Sequence, residues 1–202
     1  RSLDPEINED AAAISPTKKG SMRRPAFISG DRPLSGAERG TAVHTAMQYI
    51  DYNRCGTAEE IREELQRLVE RNYLSSKQAE AVEPEKILGF FTSELGRRVL
   101  RCENIRREFK FSLLVPANLL FPGGAEDEVL FQGVVDCYIE EAGEISVIDF
   151  KSDYVNEKIL AEKVAGYKNQ VRLYAYALEK ITGKKVKNIY LYFFSGGLTV
   201  EV

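Results

Sequence analysis

The sequence predicts helices packed on a β-sheet, an α/β or α+β fold with a helical N-terminal half. Three observations point there. Apolar residues recur at helical spacing from Ser35 to Gly96; after Arg101 the pattern changes to strand-like runs rich in Val, Ile and Phe; one long helical stretch then precedes two final strands. No internal repeat is visible.

The first thirty or so residues contain Pro5, Pro16, Pro25 and Pro33 and little periodicity, so residues 1–33 read as an irregular lead-in or linker and 34–202 as a single domain. From Ser35 a helix follows in which Val43, Met47 and Ile50 share a face. Thr57 and Glu60 form a capping box for a second helix through about Asn72, with Ile61, Leu65, Leu68 and Val69 as its apolar stripe. Helices are expected over Ser75–Val82 and Pro84–Gly96. Strands are expected over Ile105–Val115, Val129–Glu140 and Glu144–Lys151, with Gly123–Gly124 and Glu141–Gly143 as turns. A helix from about Ala165 to Ile181 is closed by Gly183; a strand over Val186–Phe194, a turn at Ser195–Gly197 and a short strand to Val202 complete the chain.

Composition narrows the function classes. With 202 residues, 44% hydrophobic, 29% charged and 7 Pro, the chain can bury a substantial core and is neither disordered, collagenous nor membrane-spanning. Cys55, Cys102 and Cys137 are too few and too scattered for a four-cysteine cluster or a disulfide framework, so a reducing, cytoplasmic setting is expected. No phosphate loop of the Gly-x-x-x-x-Gly-Lys-Ser/Thr type is present, so no ATP site is expected. The net charge of -3, from 28 basic and 31 acidic residues, is unusual for a nucleic-acid protein. Locally, however, Arg97, Arg98, Arg101, Arg106, Arg107 and Lys110 outweigh Glu103 and Glu108. These arginines are candidates for phosphate contacts, with solvated charge as the plain alternative. The chain opens at Arg1 rather than Met, which suggests a piece of a longer protein.

The chemistry concentrates in Ile145-Ser-Val-Ile-Asp-Phe-Lys151. Residues two apart in a strand face the same side, so Asp149 and Lys151 project together while Ile148 and Phe150 anchor the other face. Asp136 ends the preceding apolar run and falls beside Asp149 if the two strands pair as a hairpin. Paired carboxylates repel unless a cation neutralises them, and their hard oxygens suit magnesium or manganese, with a nearby lysine able to stabilise charge on a phosphate. His44, the sole histidine, lies on a helix beside the small residues Gly40, Thr41 and Ala42; a lone helical histidine is more often a structural hydrogen-bonder than a ligand. Gln170 and Tyr174 share a helix face, where they can hold the lysine or a phosphate, although Tyr174 also fits a packing surface with Leu173 and Ala177. Glu108 is balanced between an accessory acid and an ion-pair partner of Arg106 or Arg107.

Taken jointly, Gly40-x-x-x-His44, Gly133-x-x-Asp136, Asp149-x-Lys151 and Gln170-x-x-x-Tyr174 resemble the RecB family of nucleases in the PD-(D/E)xK superfamily, over about Leu34 to Val202. The stretch Ala37–Gln48 is closer still to the C-terminal nuclease domains of AddA-type helicase-nuclease subunits. The resemblance implies a restriction-endonuclease-like mixed sheet flanked by helices and Mg2+- or Mn2+-dependent exonuclease cleavage of DNA. It further implies His44, Asp136, Asp149 and the Phe150 backbone carbonyl as metal ligands, with Lys151, Asp149, Asp136, Gln170 and Tyr174 as the catalytic set. The implied substrate is single-stranded, 3'-terminated unwound DNA in recombinational repair. The implied partner is an AddB-type subunit, with the ATP-driven motor lying upstream. The absence of four cysteines separates this chain from the iron-sulfur branch of the family. A stand-alone RecB-like exonuclease, and a non-catalytic nucleic-acid or partner-binding module, are the alternatives.

Overall fold

The computed structural model describes residues 32–120 and 127–202. The expected lead-in over 1–33, apart from its last two residues, and the expected Gly123–Gly124 turn lie outside the described residues.

Five helices come first: α1 (Gly36–Tyr49), α2 (Ala58–Glu70), α3 (Ser76–Ala81), α4 (Pro84–Thr92) and α5 (Glu94–Arg101). Ser35, Thr57 and Ser75 each form a complete capping box with the Glu or Gln three residues on, which satisfies two otherwise unpaired amides per helix start. The single helix expected over Pro84–Gly96 is instead two. Ser93 leaves the helical region, donates its hydroxyl to Phe90 O at 2.6 Å and accepts from Gly96 N at 3.0 Å, ending α4 and capping α5 in one residue. Gly96 makes this turn possible, because a Cβ there would fall 1.9 Å from the Phe90 carbonyl oxygen.

Strands β1 (Asn104–Pro116), β2 (Glu128–Glu141), β3 (Glu144–Lys151), β4 (Val186–Phe193) and β5 (Leu198–Glu201) form one mixed sheet in sequence order. The β3–β4 pair is parallel and the other three pairs are antiparallel. A single turn, α6 (Ala117–Leu120), follows β1, and the crossover helix α7 (Leu160–Thr182) joins β3 to β4, starting five residues earlier than the periodicity indicated. Gly183, at φ 68°, ends α7 in the left-handed conformation that favours glycine. Among the described residues no helix is long and apolar enough to cross a membrane.

Helices α1–α5 cover one face of the sheet, burying Phe90, Phe91, Ile61 and Leu68 against Ile148, Phe150 and Tyr192. Helix α7 covers the other, with Val171, Ala177 and Leu178 against Val147, Leu191 and Phe193. Strand β3 is therefore covered on both sides and its residues from Ile145 to Lys151 are all buried. Strands of this kind are normally apolar throughout.

Candidate active site

Against that background Asp149 and Lys151 stand out, at 3% and 4% exposure in the most enclosed strand of the sheet. Burying an ion costs free energy unless it is paired, and such charges concentrate at functional sites. Lys151 Nζ lies 2.9 Å from Asp149 Oδ2, but off the direction of a hydrogen bond, so that buried oxygen has no hydrogen-bond partner among the described residues. On its other sides the ammonium lies 3.4 Å from Gln170 Oε1 and 3.8 Å from the centroid of the Tyr167 ring. Gln170 Nε2 in turn donates to the Tyr174 hydroxyl at 3.2 Å. The shared face of Gln170 and Tyr174 thus holds the lysine, while Tyr174 also packs edge-on against Phe111 at 5.7 Å.

Asp136 is brought in by an irregularity that the sequence did not advertise. Ile105 and Arg107 of β1 and Cys137 and Ile139 of β2 point to the helical layer, whereas Phe109, Phe111 and Val135 belong to the α7 side. Both strands change side at the Glu108–Asp136 level, where the register has no pair and Glu108 takes φ 52°, a strained value for a non-glycine residue. The β2–β3 ladder stops at Cys137↔Ile148, and the Asp136 carboxylate takes its place by accepting the Phe150 N–H at 2.8 Å. Gly133 passes so close under Phe111 and Tyr174 that a Cβ would meet their rings at 2.6 and 3.0 Å, which accounts for glycine three residues before Asp136.

His44 approaches from α1, its Nδ1 3.1 Å from Asp136 Oδ1. Gly40 permits that approach. One turn earlier on the same helix, its missing Cβ leaves room for Ser152, whose Oγ would otherwise lie 2.7 Å away. The loop after Lys151 is fixed from the far side by Ser195, which donates to Asp153 O at 2.7 Å and accepts from Val155 N at 3.0 Å. A cleft of about 730 Å³ opens between α1, α4 and this loop, with His44, Glu108 and Ser152 on its wall.

The charges are mutually dependent. Burial opposes a proton on His44, but the Asp136 carboxylate beside it prevails and raises its pKa from 6.5 to about 9. Burial likewise works against the Asp136 anion, yet the His44 cation and the Phe150 amide hold its pKa below the usual carboxylate value. For Asp149 burial wins, and with the repulsion of Asp136 it lifts the pKa to about 6 despite Lys151. Burial, then the negative charge of Asp136, raises Glu108 as well.

Among the described residues no three His, Cys, Asp or Glu side chains converge as a closed metal cage. The donors nevertheless fit a hard divalent cation. The Asp136 carboxylate touches the His44 imidazole, its charge bears on Asp149, and among the described residues Asp149 Oδ2 is a buried oxygen without a hydrogen bond.

Of the other residues singled out in the sequence, Glu108 does line the site cleft beside His44. Two of the five candidate arginines are committed internally. Arg98 ties α5 to the sheet through Glu141 at 2.7 Å, Ser146 at 2.8 Å and Tyr190 at 3.2 Å. Arg107 donates to Ile50 O at 2.7 Å at the end of α1 and stacks on Tyr52 at 4.4 Å. Arg97, Arg101, Arg106 and Arg107 are exposed, whereas Arg98 is partly covered by the groups it ties together. Tyr167 and Asp153 were missed, although Tyr167 lies three residues before Gln170, a spacing that places both on one helix face.

A strand-borne acid and lysine, a second acid from the neighbouring strand, and a supporting helix with Gln and Tyr are the marks of a nuclease fold with its catalytic group on a central strand. A family model of the PD-(D/E)XK nuclease superfamily matches residues 20–199, and the chain belongs to that superfamily. Among individual proteins it is similar to AddA, the ATP-dependent helicase/nuclease subunit of Clostridium novyi, 39% identical over 186 residues, 90% of this chain and 15% of that protein. The protein of the same description from Moorella thermoacetica is 40% identical over 202 residues, 97% of this chain and 14% of its own length. The chain thus spans about one seventh of the curated relatives it matches.

Proposed function

We propose that this chain is the nuclease module of a helicase-nuclease, hydrolysing DNA phosphodiester bonds as an exonuclease in recombinational repair of double-strand breaks. The observation that supports this most is the buried Asp149–Lys151 pair beside Asp136, on a strand otherwise wholly apolar from Ile145 onward except Ser146. Its relatives' description as ATP-dependent helicase/nuclease subunits supports the wider context of a motor in a longer protein and a further subunit beside it; in the same proposal that subunit is AddB-type and the substrate a 3'-terminated unwound strand. A strand delivered by a motor also reconciles nuclease action with a net charge of -3, because such a module does not need to capture DNA from solution.

In this reading His44, Asp136, Asp149 and the Phe150 carbonyl hold Mg2+ or Mn2+. When bound, that ion supplies Lewis-acid polarisation of the phosphate and a more acidic water. Asp136 accepts the Phe150 N–H and so fixes the peptide between Asp149 and Phe150, the unit that precedes the Phe150 carbonyl. Lys151, held by Gln170, presents an ammonium to the negative charge that grows on the phosphate oxygens in the transition state. Tyr174 keeps the Gln170 amide turned with its oxygen toward the lysine. Glu108 stands at the cleft wall as an accessory acid, and Arg97, Arg101 and Arg106 are available to flanking phosphates.

The test is cleavage of end-labelled single-stranded DNA with Mg2+ or Mn2+ by the wild-type chain, Lys151→Ala and Asp149→Ala. Loss of the transition-state contact should lower the rate by about 100-fold or more in both variants. Undiminished cleavage by either would remove the assignment.

A further inference from the structure

We infer that Tyr167 is the positioning residue of Lys151: its ring face supports the ammonium, and its hydroxyl, anchored on Asp153, prevents the ring from turning away. The inference deepens the nuclease reading and rests on it for the meaning of Lys151.

Lys151 has three neighbours of different character. Asp149 Oδ2 at 2.9 Å provides charge and Gln170 Oε1 at 3.4 Å an amide oxygen; the Tyr167 ring, with its centroid 3.8 Å from Nζ, provides a π face. Tyr167 is 2% exposed and its ring lies tilted against Phe193 at 6.4 Å. Its hydroxyl donates to Asp153 Oδ2, and Asp153 Oδ1 accepts from Lys163 Nζ at 3.0 Å. Asp153 is only two residues beyond Lys151, and its carbonyl is clamped by Ser195 at 2.7 Å. The ring is therefore held at both ends, by packing in the core and by a hydrogen bond to the loop that leaves the catalytic strand.

An aromatic face suits this place for a physical reason. A second carboxylate would bind the ammonium through its N–H groups and compete with a phosphate for them. A π face attracts the cation through its quadrupole and leaves those N–H groups directed elsewhere. Aliphatic packing would exclude water without any attraction, so the flexible lysine stem would sample several rotamers. The hydroxyl adds a separate duty, since the Asp153 carboxylate that receives it is also paired to Lys163 and held below the usual carboxylate pKa by Tyr167 and Lys163 against its own burial.

The experiment has two arms on the same chain. In the first, the ε-CH2 of Lys151 is observed by NMR in protein with labelled lysine, assigned by its loss in Lys151→Arg. Stacking on Tyr167 should move this resonance upfield of the other lysines, and Tyr167→Leu should return it among them. A wild-type resonance at the ordinary position overturns the inference, whatever the activity of the chain. In the second arm, kcat and KM on single-stranded DNA are compared for wild type, Lys151→Ala, Tyr167→Phe and Tyr167→Leu. Tyr167→Leu should lose about 30-fold in kcat, the equivalent of a desolvated cation–π contact of about 2 kcal/mol, with KM unchanged. Tyr167→Phe, which keeps the face but frees the ring from Asp153, should lose about threefold in kcat, between wild type and Tyr167→Leu, and no loss at all would overturn the hydroxyl's part in holding the ring. Equal kcat in wild type and Tyr167→Leu overturns the positioning role if Lys151→Ala is dead. Full activity of Lys151→Ala instead defeats the nuclease reading of this site, and the NMR arm still decides the contact.

Discussion

The His44–Asp136 pair should make the stability of this protein fall at alkaline pH, in a window that the geometry defines. In the folded chain the imidazole titrates near 9 rather than 6.5, so its contribution is fully present below about 6.5 and is lost as pH rises through about 9. A shift of that size corresponds to about 3 kcal/mol, and with the side chain 29% exposed, screening by solvent trims it to about 2 kcal/mol. The perturbation is His44→Gln, whose amide can still donate to Asp136 but does not titrate. Urea unfolding is followed in chelator from pH 6 to 10, and the difference between wild type and variant is read at each pH, which cancels the titration of tyrosines and lysines elsewhere. The difference should be about 2 kcal/mol near pH 6.5 and close to zero by pH 10. In an Asp136→Asn background the titration should move down toward 6.5, because the raising charge is gone. Parallel stability curves for wild type and His44→Gln across the whole range would refute the coupling.

Other outcomes follow from the same structure. If His44 is a metal ligand it must shed its proton on binding, so Mg2+ or Mn2+ titrated calorimetrically at pH 7.5 in buffers of different ionisation enthalpy should release about one proton per ion, and none in His44→Gln. Tyr192 is fully buried and its hydroxyl finds no hydrogen-bond partner among the described residues, so Tyr192→Phe should raise stability by about 1 kcal/mol in a denaturant titration; a loss instead would mean the hydroxyl is satisfied. Gly96→Ala drives a methyl into the Phe90 carbonyl and should cost about 3 kcal/mol or prevent folding, with a visibly lower Tm. Arg98→Ala should cost about 2 kcal/mol by detaching α5 from Glu141 and Ser146 while leaving the salt dependence of DNA binding as it was; a weaker salt dependence would return Arg98 to the DNA-contacting set.

Particular elements show how far the sequence reached. The alternation in Glu144–Lys151 was enough to place Asp149 and Lys151 on one side and Ile148 and Phe150 on the other, and the capping box at Thr57 was readable because it is a contact between residues three apart. The break at Ser93 was not visible, since Ile87, Leu88, Phe90, Phe91 and Leu95 sustain an apolar pattern straight through it; only the close approach of Gly96 to the Phe90 carbonyl, which leaves no room for a Cβ, shows why glycine stands at this turn. The clustered arginines were visible as charge, but charge along a chain does not say whether a guanidinium meets water, as at Arg97, or a helix terminus, as at Arg107.

Sequence alone determined the order of elements, the acid and lysine of the central strand, the Gln170–Tyr174 face, and membership of a nuclease family through motifs in a fixed order. The elements, the acid–lysine pair and the helix face are set by periods of 2 and 3.6 residues or by spacing along one element; the family came from the resemblance of four motifs in their order along the chain. The tertiary structure decided which elements meet. The left-handed turn of Glu108 lets the ribbon change side at Asp136, and the gap at Gly40 lets α1 come close enough for His44 to reach that carboxylate. The docking of α7 lays the face of Tyr167 on Lys151. Those contacts join residues far apart in the chain, and their geometry depends on packing volumes and one strained backbone angle, neither of which has a local pattern to read.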